Sequence, residues 1–258
     1  EGHGGDVHCP VIIDLSRVPE LSGTAFHDGR VHIGPNTSIQ KFISDPLLAK
    51  YLPIMQQAAI WFADEQVRVQ ATVGGNFVNA SPCADTVPPI IALDGMLTLV
   101  SRQGDELHSR TVPAADFILA SGKTVMRDGE ILTSIDCLPA HEAGNAFKKV
   151  GTRRSLVISV ANAAIIVNVD VTRKKFADVR IVFGGVGPTP QRLTQQETEL
   201  IGQPISLERI QRVAAGIPDE LVRSRSRQDY RREVVRNFFV SGILDALAEI
   251  GIFVNEHG

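Results

Sequence analysis

The sequence predicts an α+β fold built in two parts. Apolar and polar residues alternate at 29–34, as in a half-exposed strand, whereas apolar residues after Pro53 recur with helical spacing. Between residues 139 and 144 the composition changes to Pro, His, Glu, Ala and Gly, which we interpret as a linker. We therefore expect one domain at residues 1–141 and a second at residues 145–258.

Capping and turn signals place the elements of the first part. A short apolar run at 9–15 predicts a buried strand, and Asp45 followed by Pro46 predicts the N-cap and first residue of a helix. Strict alternation at 67–73 predicts a strand that runs directly into two glycines. The helix after Pro53 is expected to bury a face made of Ile54, Met55, Ala58, Trp61 and Phe62.

Further core segments are expected on both sides of the linker. Apolar segments at 87–93 and 96–100 are joined by the turn signal Asp94-Gly95. Segments rich in β-branched residues predict adjacent strands at 161–171 and 179–186. Helical periodicity follows at 194–202, 206–215 and 228–250.

Composition excludes several classes of partner. With 258 residues, 43% of them hydrophobic, the chain can bury a substantial core. A net charge of -3 provides no broad basic field for nucleic acid or an anionic membrane surface. The sequence has no apolar run of about 18 residues, so it does not predict membrane insertion. The three scattered cysteines favour a reducing, cytoplasmic location.

The segment at residues 71–85, ATVGGNFVNASPCAD, carries the clearest binding signal. Two glycines after a predicted strand lack the Cβ atoms that would keep backbone N–H groups away from an anion, so they could hold a pyrophosphate. Side chains that could add hydrogen bonds are Thr72, Asn76, Asn79 and Ser81, and Asp85 could accept one from a ribose hydroxyl. An ordinary turn is the alternative that the glycine pair alone leaves open.

Other motifs do not support a catalytic or metal site. Gly122-Lys123-Thr124 resembles the end of a P-loop, but Phe117 replaces the glycine that the motif requires. The histidines have no metal-ligand spacing, so we expect them on the solvated surface, and we expect no metal. The cluster Arg223, Arg225, Arg227, Arg231 and Arg232 is interpreted as a solvated face, with docking onto an acidic partner subunit as the alternative.

The order of residues in 71–85 closely resembles the second FAD-binding segment of the flavoprotein subunits of molybdenum hydroxylases, the family of xanthine dehydrogenase and carbon monoxide dehydrogenase. Residues 129–135 (GEILTSI) and 146–154 (AFKKVGTRR) resemble later segments of the same family. This resemblance implies a two-part, PCMH-type-like FAD-binding domain. A smaller α+β domain with a three-stranded antiparallel sheet and helices would follow it.

The resemblance also implies which residues meet FAD. The diphosphate would be met by Thr72, Gly74, Gly75 and Asn76, and Val73 between them also counts among the cofactor-binding residues. The neighbouring polar contacts would come from Asn79, Ser81 and Asp85, with Asp85 on the ribose side. Ile131 or Leu132 would pack near the flavin or adenine. Lys148 would approach the flavin ring, and a solvated lysine is the alternative for that position.

The implied function is electron transfer within a complex. Electrons would pass from a molybdopterin large subunit through an iron-sulfur small subunit to FAD here, and then to NAD+ or another acceptor. Three cysteines cannot supply the four thiolates of an ordinary cluster, which fits this division of labour. The family's first glycine-rich FAD loop is expected to be absent from this sequence, so the alternative is a scaffold subunit that does not bind FAD.

Overall fold

The computed structural model describes residues 11–151 and 158–254. Its first part contains a five-stranded antiparallel sheet and a separate short hairpin, β5–β6. The strands up to the linker are β1 (Thr24–His27), β2 (Arg30–Ile33), β3 (Met96–Gln103), β4 (Glu106–Pro113), β5 (Ile118–Ala120), β6 (Lys123–Thr124) and β7 (Ile131–Cys137). In the five-stranded sheet the order is β1-β2-β7-β3-β4, so β7 lies between two hairpins that precede it in sequence.

Short helices cover this sheet. They are α1 (Lys41–Ser44), α2 (Pro46–Tyr51), α3 (Pro53–Ile60), α4 (Glu65–Gln70), α5 (Val73–Val78), α6 (Val87–Ala92) and α7 (Ala114–Phe117). The predicted start of α2 is confirmed, because the Asp45 carboxylate accepts hydrogen bonds from the backbone N–H groups of Leu47 and Leu48. Helix α3 begins at Pro53 as expected, but Trp61 caps its end and is 55% exposed, so it does not belong to the buried face.

Two predicted strands are wrong. Residues 67–73 fold mainly as α4, which starts where the Asp64 carboxylate accepts from the N–H of Val67 at 2.9 Å. The alternating valines do not mark a buried face, since Val67 and Val69 are 45% and 56% exposed. Residues 11–15 have no regular structure, and Ile12 is 88% exposed, so this segment is not the buried strand that its apolar residues predict. Positions 9 and 10 lie outside the described residues.

The second part contains a four-stranded antiparallel sheet and three helices. The strands are β8 (Gly144–Gly151), β9 (Ser159–Asp170), β10 (Lys175–Gly184) and β11 (Gln191–Arg192), in the order β11-β10-β9-β8. The helices are α8 (Thr194–Leu200), α9 (Leu207–Ala215) and α10 (Gln228–Glu249), close to the three predicted ranges. The three long strands form the expected sheet, and the two-residue β11 extends it by a fourth.

Strand β9 contributes to two hydrophobic cores. Ala164 and Ile166 pack into the core of the first part, next to α3 and α6. Ile165 and Val167 point to the other face and pack with α10. Because successive side chains of a strand face opposite sides, one strand joins the two cores.

The basic cluster before and within α10 is not uniformly solvated. Arg231 is only 6% exposed, and its guanidinium donates to the carbonyls of Val160, Gly185 (2.7 Å) and Ser226 (2.9 Å). Burial lowers the pKa of this guanidinium. The prediction of a solvated face is therefore wrong for Arg231, which ties α10 to the ends of β9 and β10, and holds for exposed members such as Arg223.

No helix in the described part of the chain is both long enough and apolar enough to cross a membrane.

Candidate functional site

The glycine pair at 74–75 forms the first turn of α5. Thr72 is the N-cap of this helix, and its Oγ1 accepts from the N–H of Gly75 at 3.1 Å. Val73 is fully buried in the core, so its side chain lies away from solvent. The segment therefore presents a helix start to the surface instead of the strand-to-loop transition that the sequence predicts.

The two glycines have different roles. A Cβ on Gly74 would lie 2.4 Å from the Cβ of Pro35, so this position has no room for a side chain. Gly75 is exposed, and a Cβ there would meet only Thr72 Oγ1, at 3.0 Å. Gly74 is thus required by packing, whereas Gly75 leaves an open patch of backbone at the surface.

The backbone donors of this turn already have partners. The N–H groups of Val73, Gly74 and Asn76 donate to the carbonyls of Thr37, Pro35 and Thr72 at 2.9, 2.9 and 3.0 Å. The expected concave set of free N–H groups is therefore not formed. The N–H of Gly75 donates to a side-chain hydroxyl, that of Thr72, and not to a backbone carbonyl.

One cleft of about 280 Å³ lies beside Gly75, and we call it the glycine cleft. It brings together five of the predicted site residues, Thr72, Gly74, Gly75, Ile131 and Leu132. The rest of its lining consists of Leu15, Leu21, Pro35, Asn36, Val78, Met126 and Glu130. Most of these side chains are apolar, which suits the face of a planar aromatic ring system.

A second cleft of about 410 Å³, the aspartate cleft, contains the other predicted polar residues of the segment. These are Asn76, Asn79, Ser81 and Asp85, and they are joined by Phe62, Ala63, Val67, Cys83, Ala84, Lys149 and Ile158. Asn76 Oδ1 accepts from the hydroxyl of Thr86 at 2.6 Å, which leaves its Nδ2 group to donate. Helix α5 therefore contributes residues to both clefts.

Asp85 is the centre of a buried polar network between the two parts of the chain. It is 7% exposed, and its carboxylate accepts from Lys149 Nζ at 2.6 Å, Ser159 Oγ at 2.5 Å and Asn162 Nδ2 at 2.8 Å. Lys149 also donates to the carbonyl of Trp61 at 3.0 Å. With three donors already bound, Asp85 chiefly holds the floor of the aspartate cleft in place.

Lys148 lies away from both clefts. Its Nζ forms an ion pair with Asp245 of α10, and it is not among the lining residues of either cleft. Lys149 points to the opposite face of β8 and lines the aspartate cleft. The prediction missed Lys149, although strand alternation at 144–151 would have indicated that only one of two adjacent lysines can face a given side.

Glu130, a lining residue of the glycine cleft that directly precedes β7, is held by an ion pair. Arg110 donates to both carboxylate oxygens of Glu130, at 2.6 and 2.7 Å, and the backbone N–H of Arg127 donates at 2.7 Å. These bonds, first of all those from Arg110, hold the pKa of Glu130 at about 2, below the ordinary 4.5. The ion pair fixes the turn that leads into Ile131 and Leu132.

We expect this pair to make stability depend on pH. Because the folded-state pKa of Glu130 is depressed, its contribution is present above about pH 4.5 and is lost as the pH falls toward about 2. Glu130→Gln should lower the thermal midpoint at pH 7, since losing hydrogen bonds to a charged group costs roughly 1.5–3 kcal/mol. The difference in thermal midpoint between Glu130→Gln and wild type should be smaller at pH 3 than at pH 7.

The matched control is Glu106→Gln, because the Glu106 side chain is 85% exposed. This substitution should leave the thermal midpoint at the wild-type value at both pH 7 and pH 3. A gap between Glu130→Gln and wild type that stays constant from pH 7 to pH 3 would contradict the depressed pKa.

Comparisons with known proteins identify relatives that match both parts of the chain. The family described as "FAD binding domain in molybdopterin dehydrogenase" matches residues 3–140, and the "CO dehydrogenase flavoprotein C-terminal domain" matches residues 145–246. A putative xanthine dehydrogenase FAD-binding subunit of Escherichia coli is 29% identical over 93% of this chain and 82% of its own length. The carbon monoxide dehydrogenase medium chain of Hydrogenophaga pseudoflava is 30% identical over 79% of this chain and 69% of its own.

Solved structures show the same architecture. Carbon monoxide dehydrogenase from Hydrogenophaga pseudoflava, in a form that lacks the Mo-pyranopterin moiety, matches with a TM-score of 0.80 and 28% identity. This match covers 90% of this chain and 80% of the other. A reconstituted CO dehydrogenase from Oligotropha carboxidovorans matches with a TM-score of 0.82 over 89% of this chain and 79% of the other, and at 24% identity it supports the fold alone.

These matches confirm the family resemblance of residues 71–85, the fold class, FAD as the cofactor and the assignment to an oxidoreductase. The chain belongs to the family of FAD-binding subunits of molybdenum hydroxylases that includes xanthine dehydrogenase and carbon monoxide dehydrogenase.

Proposed function

We propose that this chain binds FAD along the two clefts that meet at α5, and that the cofactor there accepts electrons from partner subunits. The observation that carries the proposal is the exposed backbone at Gly75, which lies at the edge of the apolar glycine cleft and directly before Asn76, one of the polar residues that line the aspartate cleft. An elongated cofactor with an aromatic and a phosphate portion needs both kinds of surface.

The residues divide by chemistry. We propose that Thr72, Gly75 and Asn76 lie against the diphosphate, with Asn79 and Ser81 as additional donors in the aspartate cleft. Ile131 and Leu132 would pack on a ring in the glycine cleft. Val73 and Gly74 would contribute by packing under the helix start. Asp85 and Lys149 would determine the shape and charge of the floor of the aspartate cleft. We do not assign Lys148 to the site.

FAD supplies the redox chemistry when bound, since it can take up electrons one or two at a time. The chain's own contribution is to orient the cofactor and to shield it from water. Neither cleft contains a set of side chains that would perform bond-breaking chemistry on a substrate, among the residues the structure describes, which fits a subunit for electron transfer.

We propose further that the electrons arrive from an iron-sulfur small subunit and a molybdopterin large subunit, and leave to NAD+ or another acceptor. The relatives are named as FAD-binding subunits and medium chains, and such names describe parts of larger complexes. We also propose a domain division between residues 141 and 145. It is supported by the separate sheets on either side and by the two family matches, which end at 140 and begin at 145.

The test begins with the absorbance spectrum of the purified full chain, with and without added FAD. We expect a flavin spectrum with about one FAD per chain after reconstitution. A colourless protein that cannot be reconstituted would overturn the binding proposal and favour the scaffold alternative. Co-expression with the partner subunits then allows NAD+ and an artificial acceptor to be compared, and reduction of neither would overturn the proposed electron path.

A further inference from the structure

Three potential metal ligands meet on one face of the five-stranded sheet, at the opposite end of β7 from Ile131. His32 on β2 pairs directly with Asp136 on β7, and with Ala25 on β1. His27 lies two residues after Ala25 on β1, so it shares a face with His32 as a diagonal neighbour. One ligand atom from each of His27, His32 and Asp136 falls within 4.8 Å of the others.

The sheet register creates this group, not the sequence spacing. His27 and His32 are five residues apart and Asp136 is more than a hundred residues away, so no local motif predicts the cluster. No other group of three His, Cys, Asp or Glu side chains comes this close within residues 11–151 and 158–254. His27 is exposed as expected, and His32 is half-buried between its neighbours in the sheet.

The group is already partly organised. His32 Nδ1 and Asp136 Oδ1 are 3.0 Å apart, and the other oxygen of Asp136 accepts from Ser134 Oγ at 2.5 Å. Carboxylates that ligate metals are commonly held by a second hydrogen bond of this kind, here the one from Ser134. Arg30 donates to the backbone carbonyl of Asp136, at 2.8 Å, and leaves the carboxylate oxygens to other partners.

The chemistry of the donors selects the kind of ion. Two imidazoles and one carboxylate suit a divalent transition metal of the zinc class, whereas magnesium and calcium prefer oxygen ligands. Ligand atoms bound to one tetrahedral ion at about 2.0–2.2 Å lie roughly 3.3–3.6 Å apart. His32 Nδ1 and Asp136 Oδ1 are 3.0 Å apart and need to separate by only a few tenths of an ångström, and His27 is exposed, so its ring can rotate inward. The carboxylate of Asp28, 3.4 Å from His27, adds negative charge at the rim.

We propose that His27, His32 and Asp136 form a binding site for one divalent transition-metal ion, with Ser134 as a positioning residue and the fourth coordination position open to water. The site joins strands β1, β2 and β7. Asp136 is five residues from Ile131, or about 17 Å along an extended strand, so the site is separate from the clefts assigned to FAD.

The test is a calorimetric titration of Zn²⁺ into the full chain. Because His3, His8 and His257 could add ligands of their own, the background carries Asn at all three positions. We expect one saturable equivalent of Zn²⁺ in this background. His32→Asn and Asp136→Asn should remove it, and Ser134→Ala should weaken it by about 10- to 100-fold, as substitutions next to metal ligands do.

His108→Asn is the matched control. His108 also faces a carboxylate, that of Glu106 at 3.9 Å, but this pair lacks a third ligand among the described residues, so its loss should not change Zn²⁺ binding. If Asp136→Asn perturbs folding, His27→Asn decides the matter, because His27 is exposed and should be dispensable for the fold.

Absence of saturable binding in the background, or one equivalent that survives both His27→Asn and His32→Asn, would overturn the proposal. Flavin content should be the same in all of these variants, which separates this result from the test of FAD binding.

Discussion

Gly75→Leu is expected to remove FAD while the chain remains folded. The backbone of Gly75 has an ordinary conformation and its position is exposed, so the helix start tolerates a side chain once the Thr72 hydroxyl, 3.0 Å from the new Cβ, shifts by a few tenths of an ångström. The leucine would occupy the surface that we assign to the cofactor. Forcing extra atoms into a fitted contact costs about 1–3 kcal/mol, which corresponds to roughly 5- to 150-fold weaker binding. Flavin absorbance per chain and an FAD titration measure the loss.

Two further glycine variants serve as comparisons for Gly75→Leu. Gly216→Leu is the matched control, because this glycine ends α9 with a negative φ, and a Cβ there makes only ordinary contacts at 3.4 Å or more. It should keep both FAD and stability. Gly74→Leu should instead lower the thermal midpoint, because its side chain would collide with Pro35. Unchanged FAD affinity in Gly75→Leu would show that the cofactor does not lie on this surface.

Asp85→Ala is expected to cause the largest loss of stability. Removal of the carboxylate leaves Lys149, whose side chain is 4% exposed, as an uncompensated buried charge. Breaking a buried ion pair in this way typically costs about 3–5 kcal/mol. Urea unfolding followed by circular dichroism should show the midpoint shifted to lower urea concentration.

Two further variants identify the cause. Asp85→Ala combined with Lys149→Met should be more stable than Asp85→Ala alone, because the stranded charge is gone. Lys148→Met is the matched control: its partner Asp245 is 60% exposed, so the loss should be about 1 kcal/mol or less. If the double variant were no more stable than Asp85→Ala, the buried charge would not be the source of the effect.

Local signals predicted those elements whose causes are local. The N-cap at Asp45, the proline starts of α2 and α3, and the long helix α10 are each determined by residues within a few positions, and the structure contains them. The alternation at 67–73 predicted a strand that does not form, because Asp64 starts a helix there and Val67 and Val69 remain exposed. Periodicity reports which residues share a face, but not whether anything covers that face.

The candidate site was only partly predictable for the same reason. The order of residues in 71–85 identified the segment, and strand β7 brought Ile131 and Leu132 to it. The role of Gly74 depends on Pro35, nearly forty positions earlier, and the partners of Asp85 come from β8 and β9. Such contacts arise from tertiary packing, which no local pattern contains.

The double-sided burial of β9 has a consequence for how the molecule comes apart. A fragment containing only the second part would expose Ala164 and Ile166 to water, together with the neighbouring Val182. An exposed apolar sheet surface of this kind tends to self-associate. Heating should accordingly melt the whole chain in one sharp step, and a protease that cuts near residue 142 should release no soluble half.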